Sequence, residues 1–142
     1  MNKEFKKALK YLNGIPDINR GGCGISALAL YDIAKANGKK PKIVYLYSWM
    51  DDDSYQMNER YKKGKSGEAS SCAHVLVKVG KKYYDSTGSI KAKEIETYSK
   101  VDEGIKRNHL IASIKNVNEW NPCFKRKKWL PKIKKELSIK FK

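Results

Sequence analysis

Apolar positions recur at helical spacing from the start of the chain. Phe5, Ala8, Leu9 and Leu12 share one face of a helix predicted over residues 3–12. Asn13-Gly14-Ile15-Pro16-Asp17 ends it, with glycine at a C′ position and proline soon after. A broader apolar face runs through Cys23, Ala27, Leu28, Leu30, Tyr31 and Ala34. It predicts a helix over residues 22–36, stopped by Asn37-Gly38 and Pro41. The pattern then becomes extended. Residues 42–47, rich in β-branched and aromatic side chains, predict a strand. A long polar connection follows over residues 49–71, with a short helix at 54–61. Residues 72–79 alternate as a strand, Gly80-Lys81 turns it, and 82–85 returns as its partner until Ser86-Thr87-Gly88 breaks it. Ile95, Tyr98, Val101 and Ile105 predict one weak helix within residues 91–107, and 109–114 read as a further strand. Near the end, Trp129, Leu130, Ile133, Leu137 and Ile139 are spaced among lysines, which predicts a short amphipathic helix after Pro131 docked on the body.

Helices first and strands afterwards, without βαβ alternation, imply an α+β fold: N-terminal helices packed on an antiparallel sheet. The length of 142 residues suits one domain, placed at residues 1–124, with a basic tail at 125–142. Charge changes the picture of partners more than of fold. The chain has 31 basic and 15 acidic residues, a formal net charge of +16, which favours nucleic acid or another anionic surface. The run Lys125-Arg126-Lys127-Lys128-Trp129 is the candidate contact. Most of the excess is lysine, which lacks arginine's bidentate fork. Three cysteines, Cys23, Cys72 and Cys123, argue against a disulfide framework and for a reducing compartment. No apolar run approaches the ~20 residues of a membrane span, and the first residues lack a signal-peptide core. The expectation is a cytoplasmic protein with no transmembrane segment.

The candidate chemistry starts at Asn19-Arg20-Gly21-Gly22-Cys23-Gly24, a glycine-rich turn that runs into the second helix. A thiol titrates at about 8.5, and a helix N-terminus favours its ionised form. Gly22 and Gly24 lack side chains, which lets backbone come close to a substrate. The N–H of Cys23 is a natural oxyanion donor, and the side-chain amide of Asn19, four residues earlier, is the candidate for a second. If Gly80-Lys81 is the turn, Val79 pairs with Lys82, Lys78 with Tyr83, Val77 with Tyr84 and Leu76 with Asp85. His74 then lies diagonal to Asp85 on the same face, within reach of a hydrogen bond. Cys23, His74 and Asp85 thus supply a nucleophile, a base and a group that orients the base.

Gly-Gly-Cys-Gly opening a helix, then histidine on a strand and aspartate on the next, resembles the papain-like superfamily, and within it the transglutaminase-like branch. The resemblance spans residues 19–88. It implies a Cys23 nucleophile, His74 as general base and acid, and Asp85 as orienting carboxylate. It also implies amide-bond cleavage or formation through a thioester acyl-enzyme, on a protein or peptide substrate, with no metal or organic cofactor.

Other motifs are weaker. Cys72 and His74 with Cys23 would make an incomplete zinc set. Asp51-Asp52-Asp53 lacks calcium-loop spacing, Gly64-Lys65-Ser66-Gly67 lacks the rest of a phosphate loop, His109 has no evident partner, and Cys123 reads as packing. The competing reading is a non-enzymatic basic module that binds nucleic acid or another anionic partner, and a third is a degenerate fold of this type kept for protein interaction.

Overall fold

Five strands, β1 (Lys42–Tyr47), β2 (His74–Val79), β3 (Lys82–Asp85), β4 (Gly88–Ile90) and β5 (Lys100–Ile105), form one antiparallel sheet in the order β4-β3-β2-β1-β5. The computed structural model describes residues 2–65, 68–116 and 124–140. Among the described residues six helices accompany the sheet: α1 (Lys3–Asn13), α2 (Cys23–Ala36), α3 (Asp52–Lys62), α4 (Ala92–Ile95), α5 (Arg107–Asn116) and α6 (Arg126–Leu137). The fold is mixed α+β, as the order of elements implied.

The expected hairpin register holds: Val79, Lys78 and Val77 face Lys82, Tyr83 and Tyr84, and Gly80 turns with φ of +64°. Alternation along the central strands divides the apolar residues between two faces. Ile43, Tyr45, Tyr47, Val75 and Val77 enter the main core with α1, α2, α5 and α6. Val44, Leu46 and Leu76 face a smaller cluster with Ile95, flanked by Tyr83, Ile90 and Tyr98. Both faces of β1 are therefore covered, which is why the strand reads as an unbroken apolar run.

α2 lies at the centre. Eight of its side chains are buried, from Cys23 and Ile25 to Ala34, and it packs on β1, β2 and β3 as well as on α1 and α5. A helix surrounded on most sides needs apolar residues nearly all round. α1 is capped by Asn2, whose side chain accepts the Phe5 N–H at 3.0 Å, and buries Phe5, Ala8 and Leu12.

Three expectations are corrected. Residues 109–114 are not a strand but most of α5, where Leu110 and Ile114 stack one turn apart against Gly24 of α2. Residues 91–107 are not one weak helix. They hold the single turn α4 and then β5, an edge strand whose Asp102 and Glu103 hide the extended pattern, as charges on edge strands often do. The break expected at Ser86-Thr87-Gly88 is present, and its turn leads into β4. α6 begins at Arg126 and contains Pro131; docking overrides that residue's cost, because Ile133 and Ile139 join the main core with Phe124. The segment expected as a tail thus shares the core of residues 1–124. The polar connection is also ordered over much of its length, as a 3₁₀ turn (Trp49–Asp51) followed by α3. No helix among the described residues is long and apolar enough to cross a membrane.

Candidate functional site

Cys23 is the first residue of α2 and is 5% exposed. Gly21 reaches it with φ of +120°, a conformation that favours glycine. Gly22 is the N-cap and offers no side-chain hydrogen bond to the helix. The first helical bond runs from the Ser26 N–H to the Gly22 carbonyl at 3.0 Å. The preceding amides, including that of Cys23, therefore lie at the positive end of the helix dipole.

The neighbouring glycines have internal packing roles. A Cβ on Gly22 would stand 2.6 Å from the Ile18 carbonyl oxygen and 3.2 Å from the Phe124 ring. One on Gly24 would stand 3.3 Å from Ile114. Asn19 is half-buried, and its Oδ1 is buried without a hydrogen-bond partner.

His74 opens β2 and Asp85 closes β3, and the register brings them to the same end and face of the sheet. The His74 Nε2 lies 3.0 Å from Asp85 Oδ2. An ionised carboxylate only accepts, so Nε2 carries the hydrogen. Asp85 Oδ1 accepts from the Thr87 backbone N–H at 2.8 Å and from its hydroxyl. One oxygen of the carboxylate thus builds the turn and the other holds the ring. Burial alone would raise the Asp85 pKa, but hydrogen bonds from His74 and Thr87 outweigh it and hold the carboxyl below its usual value. For His74, burial acts to lower the pKa. Hydrogen bonds to Asp85 and then Cys23, with their negative charge, overcome it and raise the value to about 9. With Nε2 taken by Asp85, Nδ1 is the ring atom left for Cys23. The structure therefore joins His74 to Asp85, with the Cys23 thiol near enough for its charge to act on the ring. Such a group can hold a thiolate–imidazolium pair.

The pair stands between two hollows. On the sulfur side is a cavity of about 40 Å³ whose wall includes Cys23, Gly24, Cys72, Ser71 and Arg126; Asn19 and Gly22 are outside that wall. On the ring side, a hollow of about 340 Å³ is lined by His74, Asp85, Leu76, Glu94, Ile95 and Tyr98. Burial, followed by the charges of Cys23 and Asp85, raises the pKa of Tyr98. Thr87, Tyr98 and Arg126 were missed in the sequence, because they lie in stretches that read as a strand break, a weak helix and a tail.

Cys72 lies in the same wall as Cys23. Burial, then the Cys23 charge, pushes its thiol well above the usual range, and it donates to the His74 carbonyl at 3.2 Å. The segment before it is held from below. Asn58, 1% exposed, accepts the Ser70 N–H at 2.7 Å, donates to the Tyr47 hydroxyl at 2.9 Å and meets His109 Nε2 at 3.0 Å. His109, expected to lack a partner, is thus a buried structural histidine. Burial and then the charge of Lys62 lower its pKa to about 4.

The weaker motifs serve the fold. Asp51 caps the 3₁₀ turn through Ser48, and Asp52 pairs with Lys100 at 2.9 Å. Gly64 ends α3 with φ of +71°. Ser66, Gly67 and Cys123 lie outside the described residues. Among the described residues no three His, Cys, Asp or Glu side chains gather as a metal set. Comparison with protein-family models, with curated proteins and with solved structures finds no match to this chain.

Proposed function

We propose that the chain is a cysteine-dependent hydrolase or acyltransferase acting on amide bonds. The supporting observation is the His74–Asp85 pair at 3.0 Å, with the Cys23 thiol at the start of α2 acting on the same ring. The resemblance to the transglutaminase-like branch of the papain-like superfamily points the same way. The Cys23 thiolate attacks the carbonyl carbon and forms the C–S bond. The tetrahedral oxyanion falls near the unpaired amides of the first turn of α2. Imidazolium His74 passes its proton to the leaving amine as the C–N bond breaks, leaving a thioester. Water or an amine then attacks the thioester, His74 takes its proton, and the thiolate departs. Asp85 fixes the ring and favours its charged form throughout.

A reactive ester tests this without knowledge of the natural substrate. p-Nitrophenyl acetate should give a burst of about one p-nitrophenolate per chain, with acetyl on Cys23 by peptide mapping and no burst in Cys23→Ser. No burst, or an acetyl group on another residue, overturns the reading.

A second reading has its own support. At the opposite end of the sheet, two adjoining hollows of about 590 and 390 Å³ share Lys39, Val79 and Gly80. Lys40, Lys42, Lys78 and Lys82 add to a wall that holds no carboxylate among the described residues, although Glu103 bonds Lys78 from nearby at 3.0 Å. This surface suits a phosphate backbone better than the C-terminal helix, whose Trp129 ring is engaged by Lys128 and Lys132. Affinity for a single-stranded oligonucleotide should fall steeply with salt and drop in Lys39→Gln/Lys40→Gln; weak, salt-insensitive binding rules this surface out.

A further inference from the structure

Cys23 offers one oxyanion donor through its own N–H at the start of α2. Asn19, expected from the sequence as the second, lines neither hollow beside the His74 ring and the Cys23 sulfur. The two hollows differ in capacity. The sulfur-side cavity of about 40 Å³ has room for about three waters. The ring-side hollow of about 340 Å³ is the one of the two that can admit a carbonyl with its flanking atoms. Its floor is apolar, with Leu46, Leu76 and Ile95, and its polar wall can be taken residue by residue. Asp85 and Glu94 carry carboxylates, which accept. The His74 ring is engaged by Asp85 and Cys23. The Thr97 hydroxyl donates to the Glu94 carbonyl at 2.6 Å. Among the described residues of that wall, the donor left over is the Tyr98 hydroxyl, which makes no hydrogen bond within the described structure.

Tyr98 is held beside the ring from the flank. It lies in the turn between α4 and β5, and its N–H bonds the Ile95 carbonyl at 3.1 Å. The next residue, Ser99, bonds the Tyr47 carbonyl through its N–H at 2.8 Å and its hydroxyl at 3.0 Å. Leu46, one residue back along β1, faces His74 across the sheet. The half-buried Tyr98 side chain packs on the cluster of Leu46, Leu76 and Ile95. Burial, then the charges of Cys23 and Asp85, raise its pKa, so the phenol keeps its proton and stays a donor.

We infer that Tyr98 is a catalytic residue whose hydroxyl is the second donor to the oxyanion formed at the carbonyl that Cys23 attacks. The inference rests on the proposed Cys23 nucleophile and deepens that reading. As the C–S bond forms, the carbonyl π electrons move onto oxygen, and the hydrogen bond from the hydroxyl strengthens with that charge. It weakens again when the carbonyl re-forms and the amine leaves. The apolar floor adds to the effect, because a hydrogen bond gains strength where water is excluded.

Acylation and alkylation separate this role on the full chain. p-Nitrophenyl acetate is attacked at a carbonyl and builds an oxyanion. Iodoacetamide is attacked at a saturated carbon, iodide leaves, and no oxyanion forms. The first rate is read at Cys23 from the p-nitrophenolate burst and the second by peptide mapping. Tyr98→Phe keeps the ring and removes the hydroxyl. It should slow acetylation of Cys23 on the order of a hundredfold, the usual loss on removing one oxyanion donor, and leave alkylation within about threefold. Tyr83→Phe removes a hydroxyl that flanks the same apolar cluster outside the hollow and should leave both rates unchanged. Acetylation that survives Tyr98→Phe, that falls together with alkylation, or that falls equally in Tyr83→Phe overturns the assignment. A wild type that gives no burst fails the nucleophile and the inference with it. A wild-type burst unmoved by Tyr98→Phe removes the oxyanion role alone.

Discussion

Asp85→Asn keeps the shape of the side chain and removes the charge that holds His74. The ring titrates at about 9, against about 6.5 for free imidazole. That difference is worth about 3 kcal/mol in favour of the imidazolium, gained against burial, which acts the other way. Asp85 leads the favourable contributions through the contact at 3.0 Å, and Cys23 follows. An opposite charge at this range shifts a pKa by about 1–3 units, so the variant should titrate ~2 units lower. The chain has two histidines, and His109 titrates at about 4, so ¹³Cε1 chemical shifts against pH resolve them without ambiguity. A wild-type His74 titrating at or below 6.5, or one unmoved by Asp85→Asn, refutes the reasoning.

The two histidines also shape stability. Between about 6.5 and 9 the folded state holds a proton on His74 that the unfolded chain has released, so the His74 contribution, about 3 kcal/mol before the opposing linkage of a Cys23 thiolate is counted, is full below the unfolded value and is lost as pH rises through the window. Between about 4 and 6.5 the unfolded chain binds a proton that buried His109 refuses, so stability is full above 6.5 and falls by a similar amount as pH drops. Urea melts should show both arms, and Asp85→Asn should flatten only the alkaline one. Gly22→Ala forces a Cβ to within 2.6 Å of the Ile18 carbonyl and should cost about 1–3 kcal/mol, with Gly24→Ala milder in the same melts. Ile133→Ala, at a fully buried site on α6, should cost about 2–5 kcal/mol; a neutral result would detach α6 from the core.

The legible parts of the chain were those where local pattern and tertiary demand agree. β1 and β3 were placed at their observed ends, and the hairpin register followed from Gly80-Lys81 alone, which put His74 and Asp85 together before any coordinates. α5 was misread because Leu110-Ile111 and Ser113-Ile114 form doublets that fit a buried strand as well as a helix packed on two sides. β5 was hidden by the charges of an edge strand, and α6 by a proline that long-range burial tolerates. Asp85 was read as a partner of histidine, and its second oxygen builds the turn as well. The site glycines were read as room for substrate. Their room is filled by Ile18, Phe124 and Ile114, contacts between distant residues that no local pattern carries. Arg126 was out of reach for the same reason.

The most direct measurement is the rate of iodoacetamide labelling at Cys23 and Cys72 across pH 5–9, in wild type and in His74→Ala. An ordinary thiol is almost wholly protonated at pH 6, so a thiolate held by His74 should label Cys23 on the order of a hundredfold faster than glutathione at that pH. Cys72 should lag far behind, and His74→Ala should abolish the advantage. A Cys23 rate that tracks Cys72, or that is indifferent to the loss of His74, contradicts the pairing on which the proposed chemistry depends.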